Sequence, residues 1–282
     1  MTDTSSFICG KYRLDLSQPR VMGIVNVTPD SFSDGGRFES ADKAVHHALA
    51  LVEEGADILD IGGESTRPGA TPVSLEDELQ RVIPVIERLA KEARVPLSID
   101  TYKPEVMRAA IEAGVDIVND IRALQEPSAM ETVAASNAGV CLMHMQGTPQ
   151  TMQMDPQYDD AVAEVKAFLA ERLKAVVAAG IQEERVVLDP GFGFGKRTVH
   201  NLQLLRELPG FDELRRPLLV GLSRKSVLGQ LTGGDIYVRL HASIAASVIS
   251  AMKGAKIIRV HDVKATADAL KVVSAVLSDN NQ

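Results

Sequence analysis

The stretch RVVLDPGFGFGK, residues 185–196, decides the fold. Its first half is a short β-branched run, almost continuous in hydrophobicity, that stops on an acid, Asp189. Its second half alternates glycines with large residues and closes on Lys196. It matches neither common phosphate loop. G-x-x-x-x-G-K needs a glycine where Pro190 stands, and G-x-G-x-x-G needs one where Lys196 stands. An apolar run without strict alternation is what a parallel strand covered on both faces looks like.

Seven further runs share this character: VMGIVNV (21–27), DILDIG (57–62), PLSID (96–100), DIVND (116–120), VCLMHM (140–145), PLLVGL (217–222) and KIIRV (256–260). Helical patterns lie between them. ADKAVHHALALVEEG puts Val45, Ala48, Leu49 and Val52 on one stripe, with Ser40 as the expected N-cap and Gly55 as the C-cap. PEVMRAAIEAG starts on Pro104 at a first helical position and stops at Gly114. DAVAEVKAFLAERLKAVVAAG runs to Gly180, and a last helix covers Lys264 to Leu277. Eight strands alternating with eight helices predict a (β/α)8 TIM barrel spanning residues 1–282 as one domain. FICGKYRLDL at the start predicts a β-hairpin around Gly10–Lys11, placed to plug the N-terminal end of the barrel.

Composition narrows the function. The chain has 282 residues and a net charge of −8, so no general basic field attracts nucleic acid or an anionic membrane. Any anion must be held by a local cluster of cations. Two cysteines give no disulfide framework, and the first ten residues carry neither a basic segment nor a long apolar run. A cytoplasmic protein is expected.

Barrel chemistry sits beyond the C-terminal ends of the strands. There the sequence places Asn26, then GGESTRPGA, then Asp100, then Asn119 and Asp120, His144, Asp189, SRKS and RVHD. Any one of these could be a helix cap or turn former. Arg67, Lys225, Arg259 and His261 resist that reading, because the start of a helix disfavours positive charge unless an anion is present. Together they predict a site for more than one phosphate. Asp100, Asn119 and Asp189 point elsewhere. A carboxylate presents two acceptors in a plane, which suits the adjacent N–H donors of a flat nitrogen heterocycle.

Seven motifs carry a resemblance over about residues 7–275: GIVNVTPDSFSDGG, DIGGESTRPGA, IDTYKPEV, VNDI, DPGFGFGK, GLSRKS and IIRVHDV. In this order and spacing they resemble the dihydropteroate synthases. These barrel enzymes of folate biosynthesis condense 6-hydroxymethyl-7,8-dihydropterin diphosphate with p-aminobenzoate, and sulfonamides target them. The resemblance implies that Asp189, Asn119 and Asp100 hold the pterin. Lys225 would contact the pterin and border the p-aminobenzoate site. Arg67, Arg259 and His261 would bind diphosphate, and Asn26 would meet diphosphate and Mg2+. Thr66, Phe194 and Ser226 would line the p-aminobenzoate pocket. Asp100, Lys225, Arg67 and Asp34 are the expected catalytic group. Glycines in DPGFGFGK would let the backbone turn around a flat ligand, with Lys196 free of phosphate. A homodimer built on the late helices, where ASIAASVISAMKGA (242–255) is dense in small residues, is also implied.

Two positions depart from the family's usual pattern, Tyr102 for Ser and His241 for Gly. Other polar residues have plainer readings. His144 is expected in the core or behind the site, His46 and His47 in solvent, and Met143, Met145, Met152 and Met154 in packing. Glu64 is open between a Mg2+ ligand and a cap, and Asp30 between function and turn. A pterin-binding methyltransferase would keep the acids without needing STRPG or RVHD, and a Schiff-base aldolase would instead use Lys225.

Overall fold

The computed structural model describes residues 5–28, 37–67, 69–235 and 239–278. A two-stranded antiparallel hairpin, β1 (Ser6–Cys9) and β2 (Tyr12–Asp15), comes first and turns through Gly10 at φ +54°. Eight parallel strands follow: β3 (Arg20–Asn26), β4 (Ile58–Gly62), β5 (Leu97–Asp100), β6 (Ile117–Asp120), β7 (Gly139–Met143), β8 (Val186–Asp189), β9 (Leu219–Val220) and β10 (Ile257–Val260). Each pairs with the next from β3 to β8, while β10 joins β3 to β9. Closure comes from a parallel bridge between Leu188 and Leu218, where Leu188 N–H donates to Pro217 O at 3.0 Å. The result is a nearly closed barrel, as the strand pattern predicts.

The helices are α1 (Arg37–Glu53), α2 (Leu75–Glu92), α3 (Pro104–Ala113), α4 (Ala129–Ala134), α5 (Ala161–Ala178), α6 (Thr198–Arg206), α7 (Ser226–Thr232), α8 (Leu240–Met252) and α9 (Val263–Leu277). Among the described residues these are nine rather than the expected eight, because the seventh unit carries two. Gly233, left-handed at φ +69°, ends α7 before the chain can continue into α8. Ser40 is not the cap of α1 and lies inside it, since the helix already begins at Arg37. Pro104 and Gly114 bound α3 as expected, Gly114 at φ +112°. Asp160 caps α5, its carboxylate accepting from the N–H of Val162 and Ala163. Strand β7 stops one residue before His144.

Two apolar cores follow from the period-two alternation of the strands. Val21, Leu59, Ile61, Ile99, Val118, Val140, Leu142, Val186, Leu188 and Val220 face outward into the core shared with the helices. Met22, Ile58, Ile117, Cys141, Val187, Leu219 and Ile257 face inward, where Phe7, Cys9 and Leu16 of the hairpin segment complete their cluster. The hairpin therefore does plug the N-terminal end. Gly139 makes room for it, as a side chain there would come within 2.5 Å of the Phe7 ring. Truncating a buried phenylalanine of this kind to alanine costs about 3–5 kcal/mol. None of the described helices is long and apolar enough to cross a membrane.

Candidate active site

The same alternation that fills the base of the barrel with apolar groups fills its upper part with charge. Two residues beyond Ile58, Ile117, Val187 and Ile257 come Asp60, Asn119, Asp189 and Arg259. Asp100 ends β5 one layer higher. Arg259 is the hub. Its Nε donates to Asp60 Oδ2 and its Nη2 to Asp100 Oδ2, both at 2.6 Å, and Asn119 Nδ2 donates to the same Asp60 oxygen at 3.2 Å. The second oxygens of Asp60 and Asp100 are buried with no hydrogen-bond partner. Orphaned buried acceptors are costly, and a ligand presenting N–H donors would satisfy them.

Asp189 is held differently. Its Oδ1 accepts the Gly191 N–H at 2.7 Å, the first contact of a loop that folds back on itself. Gly191, Gly193 and Gly195 all have positive φ. A β-carbon on Gly191 would lie 1.8 Å from His144 O, so glycine is required there by both space and conformation. The loop turns Phe194 beneath Lys225, whose Nζ lies 4.2 Å from the ring centroid and also donates to Phe192 O. Lys196 is buried, and its Nζ lies 2.9 Å from both His144 Nδ1 and Gly191 O.

Burial governs the charges. It pushes the Asp100 carboxyl up to about 7, against the opposing pull of Arg259. It raises Asp189 as well and lowers Lys225 to about 7, with Asp189 partly offsetting that fall. Arg259 is held above its ordinary value, because Asp60 and Asp100 outweigh its own burial.

His261 differs from its expected place among the cations. Burial, then Arg259 and Arg224, push it down to about 3, so it is neutral at pH 7. Ser223 Oγ accepts the His261 backbone N–H at 3.2 Å and lies 3.0 Å from Nδ1. The neutral imidazole offers one N–H donor and one acceptor, and a hydroxyl, with one donor and two acceptor sites, matches either nitrogen form at Nδ1.

The rim places the remaining candidates. Asn26 ends β3, half-buried, and its side chain makes no hydrogen bond among the described residues. Thr66 and Arg67 follow β4, with Arg67 exposed and close enough to His261 to help depress it. Ser226 begins α7 and borders a cavity of about 410 Å³ with Gln153, Arg197, Thr198 and Gln230. Asp34 and Asp30 lie outside the described residues.

Several residues of the site escape a reading confined to strand ends. Asp60 sits inside an apolar run, and an acid two residues before Gly62 is the available signal. Arg224 adopts φ +58°, donates from Nε and Nη2 to Asp262 and from its backbone N–H to Ser243 Oγ, so it ties the seventh loop to the eighth. Glu64 belongs to a half-buried polar cluster. It accepts from Tyr102 Oη at 3.2 Å and pairs with Lys103, which also pairs with buried Glu78. His144 is buried as expected, packed edge-on against Phe168.

Buried carboxylates, a shared arginine and rim cations at the mouth of such a barrel define a pocket for a polar heterocycle with an anionic arm. Comparison with known proteins agrees. Residues 22–261 match the model of the family described as pterin binding enzyme, and the chain belongs to that family. Its full-length relatives are dihydropteroate synthases. That of Escherichia coli K12 is 56% identical, covering 94% of each chain, and that of Bacillus subtilis is 44% identical, covering 92% of this chain and 88% of the relative. The Xanthomonas albilineans dihydropteroate synthase with 4-aminobenzoic acid superimposes at TM-score 0.92, with 55% identity over 98% of this chain and 99% of that one. The same enzyme in complex with 7,8-dihydropteroate gives 0.89 and 52%, over 97% and 99%. The Yersinia pestis enzyme with a sulfonamide drug gives 0.91 and 50%, over 96% and 98%.

Proposed function

We infer that this protein is a dihydropteroate synthase, a transferase that joins 6-hydroxymethyl-7,8-dihydropterin diphosphate to p-aminobenzoate with loss of diphosphate, and that sulfonamides inhibit it. The observation that carries the reading is the pair of orphaned carboxylate oxygens on Asp60 and Asp100 beside Asn119 and Asp189. Asp189, Asn119 and Asp100 accept from and donate to the pterin edge. Lys225, over the Phe194 ring, borders both substrates. Thr66, Phe194 and Ser226 frame p-aminobenzoate. Arg67, Arg259 and the neutral His261 face the leaving diphosphate, and their donors stabilise the charge it gains.

Bond breaking at the exocyclic CH2 runs ahead of bond making. The electron-rich pterin supports positive charge at that carbon, and ionised Asp100 favours the cation. The arylamine then attacks with a nitrogen that is already a neutral lone-pair donor. Exclusion of water from the pocket protects the cation from capture.

Among the described residues no cluster of three His, Cys, Asp or Glu could hold a metal. A Mg2+ arriving with the diphosphate needs few protein ligands. The uncommitted amide oxygen of Asn26 fits that limited part. When bound, the ion neutralises charge on the leaving group.

The protein acts in the cytoplasm as one catalytic domain, binds neither nucleic acid nor membrane, and pairs as a homodimer. Exposed Leu231, Ile249 and Met252 on α7 and α8 support the last point. Sedimentation at micromolar concentration giving a monomer contradicts the dimer. The activity is tested by diphosphate release that requires both substrates and is suppressed by a sulfonamide competing with p-aminobenzoate. Release without the arylamine, or none at all, overturns it.

A further inference from the structure

Lys196 closes the stretch RVVLDPGFGFGK, yet it takes no part in the chemistry above. It is 2% exposed. Its Nζ meets four acceptors: His144 Nδ1 at 2.9 Å, Gly191 O at 2.9 Å, Phe194 O at 3.0 Å and His144 O at 3.3 Å. Three of these are backbone carbonyls, two of them inside the loop that Lys196 itself ends. Burial drives the Lys196 pKa well below its ordinary value, and a buried amino group must direct its donors to acceptors in this way. Here those bonds bend residues 191–195 into a ring around Nζ.

We propose that Lys196 is a positioning residue for substrate, its buried amino group acting as the internal donor on which the pterin-holding loop is folded. Three consequences of the ring reach the site. The Gly191 N–H is aimed at Asp189 Oδ1. The Phe192 carbonyl is turned to receive Lys225 Nζ. The Phe194 ring is set under that same Nζ. His144 is the outer anchor, packed against Phe168 and Tyr158. Burial followed by Lys196 itself pushes its pKa down to about 3, so the ring is neutral and one of its nitrogens is a lone pair able to accept. The close backbone approach supports the same assignment independently, since a β-carbon at Gly195 would fall 2.3 Å from Gln146 O. Loop six rests backbone to backbone on loop five, and the Lys196 amino group occupies the space between the two.

This proposal rests on the pterin reading of the site, so one titration separates them. Wild-type protein is titrated calorimetrically with a non-phosphorylated dihydropterin, and binding there tests that reading alone. Lys196→Met, confirmed folded by circular dichroism, should then lose at least roughly tenfold in pterin affinity. In turnover its pterin KM should rise with a smaller change in kcat. His144→Gln, whose amide oxygen can still accept from Nζ, should retain most of the affinity, while His144→Leu should lose it. Should Lys196→Met not fold, the two His144 variants decide the matter. Affinity within about threefold of wild type in folded Lys196→Met, or equal affinities in His144→Gln and His144→Leu, overturns the proposal.

Discussion

Arg259 donates to Asp100 Oδ2 at 2.6 Å and leaves the other oxygen of that carboxylate buried and unpaired. One arginine thus does two things for one acid. It compensates the charge, and it fixes the carboxylate plane with a free acceptor edge. Asp60 receives the same treatment from Nε. The pterin reading uses the edges that remain, and the diphosphate reading uses the guanidinium N–H groups not aimed at acids.

Removing Arg259 should therefore harm more than anion binding. Arg259→Ala leaves two buried carboxylates uncompensated, a situation that costs about 3–5 kcal/mol. Asp100 already holds its proton up to about 7, and without Arg259 its pKa rises further. The folded variant then binds a proton that the unfolded chain binds only near the ordinary carboxylate value. The stability deficit relative to wild type should shrink as pH falls from 8 towards 5. Urea melts of both proteins at the two pH values check this, and a deficit that does not change with pH refutes it.

Asp189→Asn is nearly isosteric and should leave the fold intact. It replaces an acceptor facing a ligand N–H with either a donor or a neutral oxygen. The loss combines a broken charge-assisted bond with an unmatched group, about 3 kcal/mol or more, over a hundredfold in pterin affinity. A fall of less than about fivefold in titration of the folded variant removes Asp189 from its role as anchor.

Lys225 predicts a pH dependence of opposite sense. Its folded pKa is lowered to about 7 from 10.5. Between those values the unfolded chain binds more protons, so stability gains from this group as pH rises through the window. Its penalty is fully present below about 7. Lys225→Met should flatten that gain. Wild-type unfolding free energy minus that of the variant should become more positive from pH 7 to 9.5, and a constant difference contradicts the lowered value.

Gly191→Ala places a methyl group against His144 O in a backbone conformation L residues avoid. The loop must open, at a cost of at least about 2 kcal/mol, with loss of pterin binding. Unchanged stability and affinity would show that the loop adopts a different path.

Much of the barrel and its mouth is legible in the sequence. Asp100, Asn119, Asp189 and Arg259 stand at or beside strand ends, where a break in an apolar run is visible. Asp60 is not, because it interrupts a run in its middle, and only inward alternation with Ile58 and Gly62 exposes it. The first turn of α1 escapes the pattern, since Arg37, Glu39 and Ser40 add nothing to an apolar stripe. The second helix of the seventh unit hides in one stretch of sequence, where the pair Gly233–Gly234 is the visible break. His261 looks cationic in the sequence because its charge depends on burial and on Arg259, neither of which spacing reveals. The aromatic and cationic contacts of Tyr102, with Lys103 Nζ at 4.9 Å and Arg122 at 4.8 Å, likewise arise only from three-dimensional proximity.

The hairpin that fills the N-terminal end of the barrel has a consequence for traffic. With Phe7, Cys9 and Leu16 seated there, substrates and products share one entrance. On the proposed assignment the pterin sits deepest, against Asp189, so it enters first, and whatever carries it leaves last. Diphosphate, placed at the rim by the same assignment, departs ahead of the joined product. Each turnover then passes the rim twice, once to load and once to empty. A change in the rim loops alone can then slow the whole cycle while every group that touches the reacting carbon stays in place.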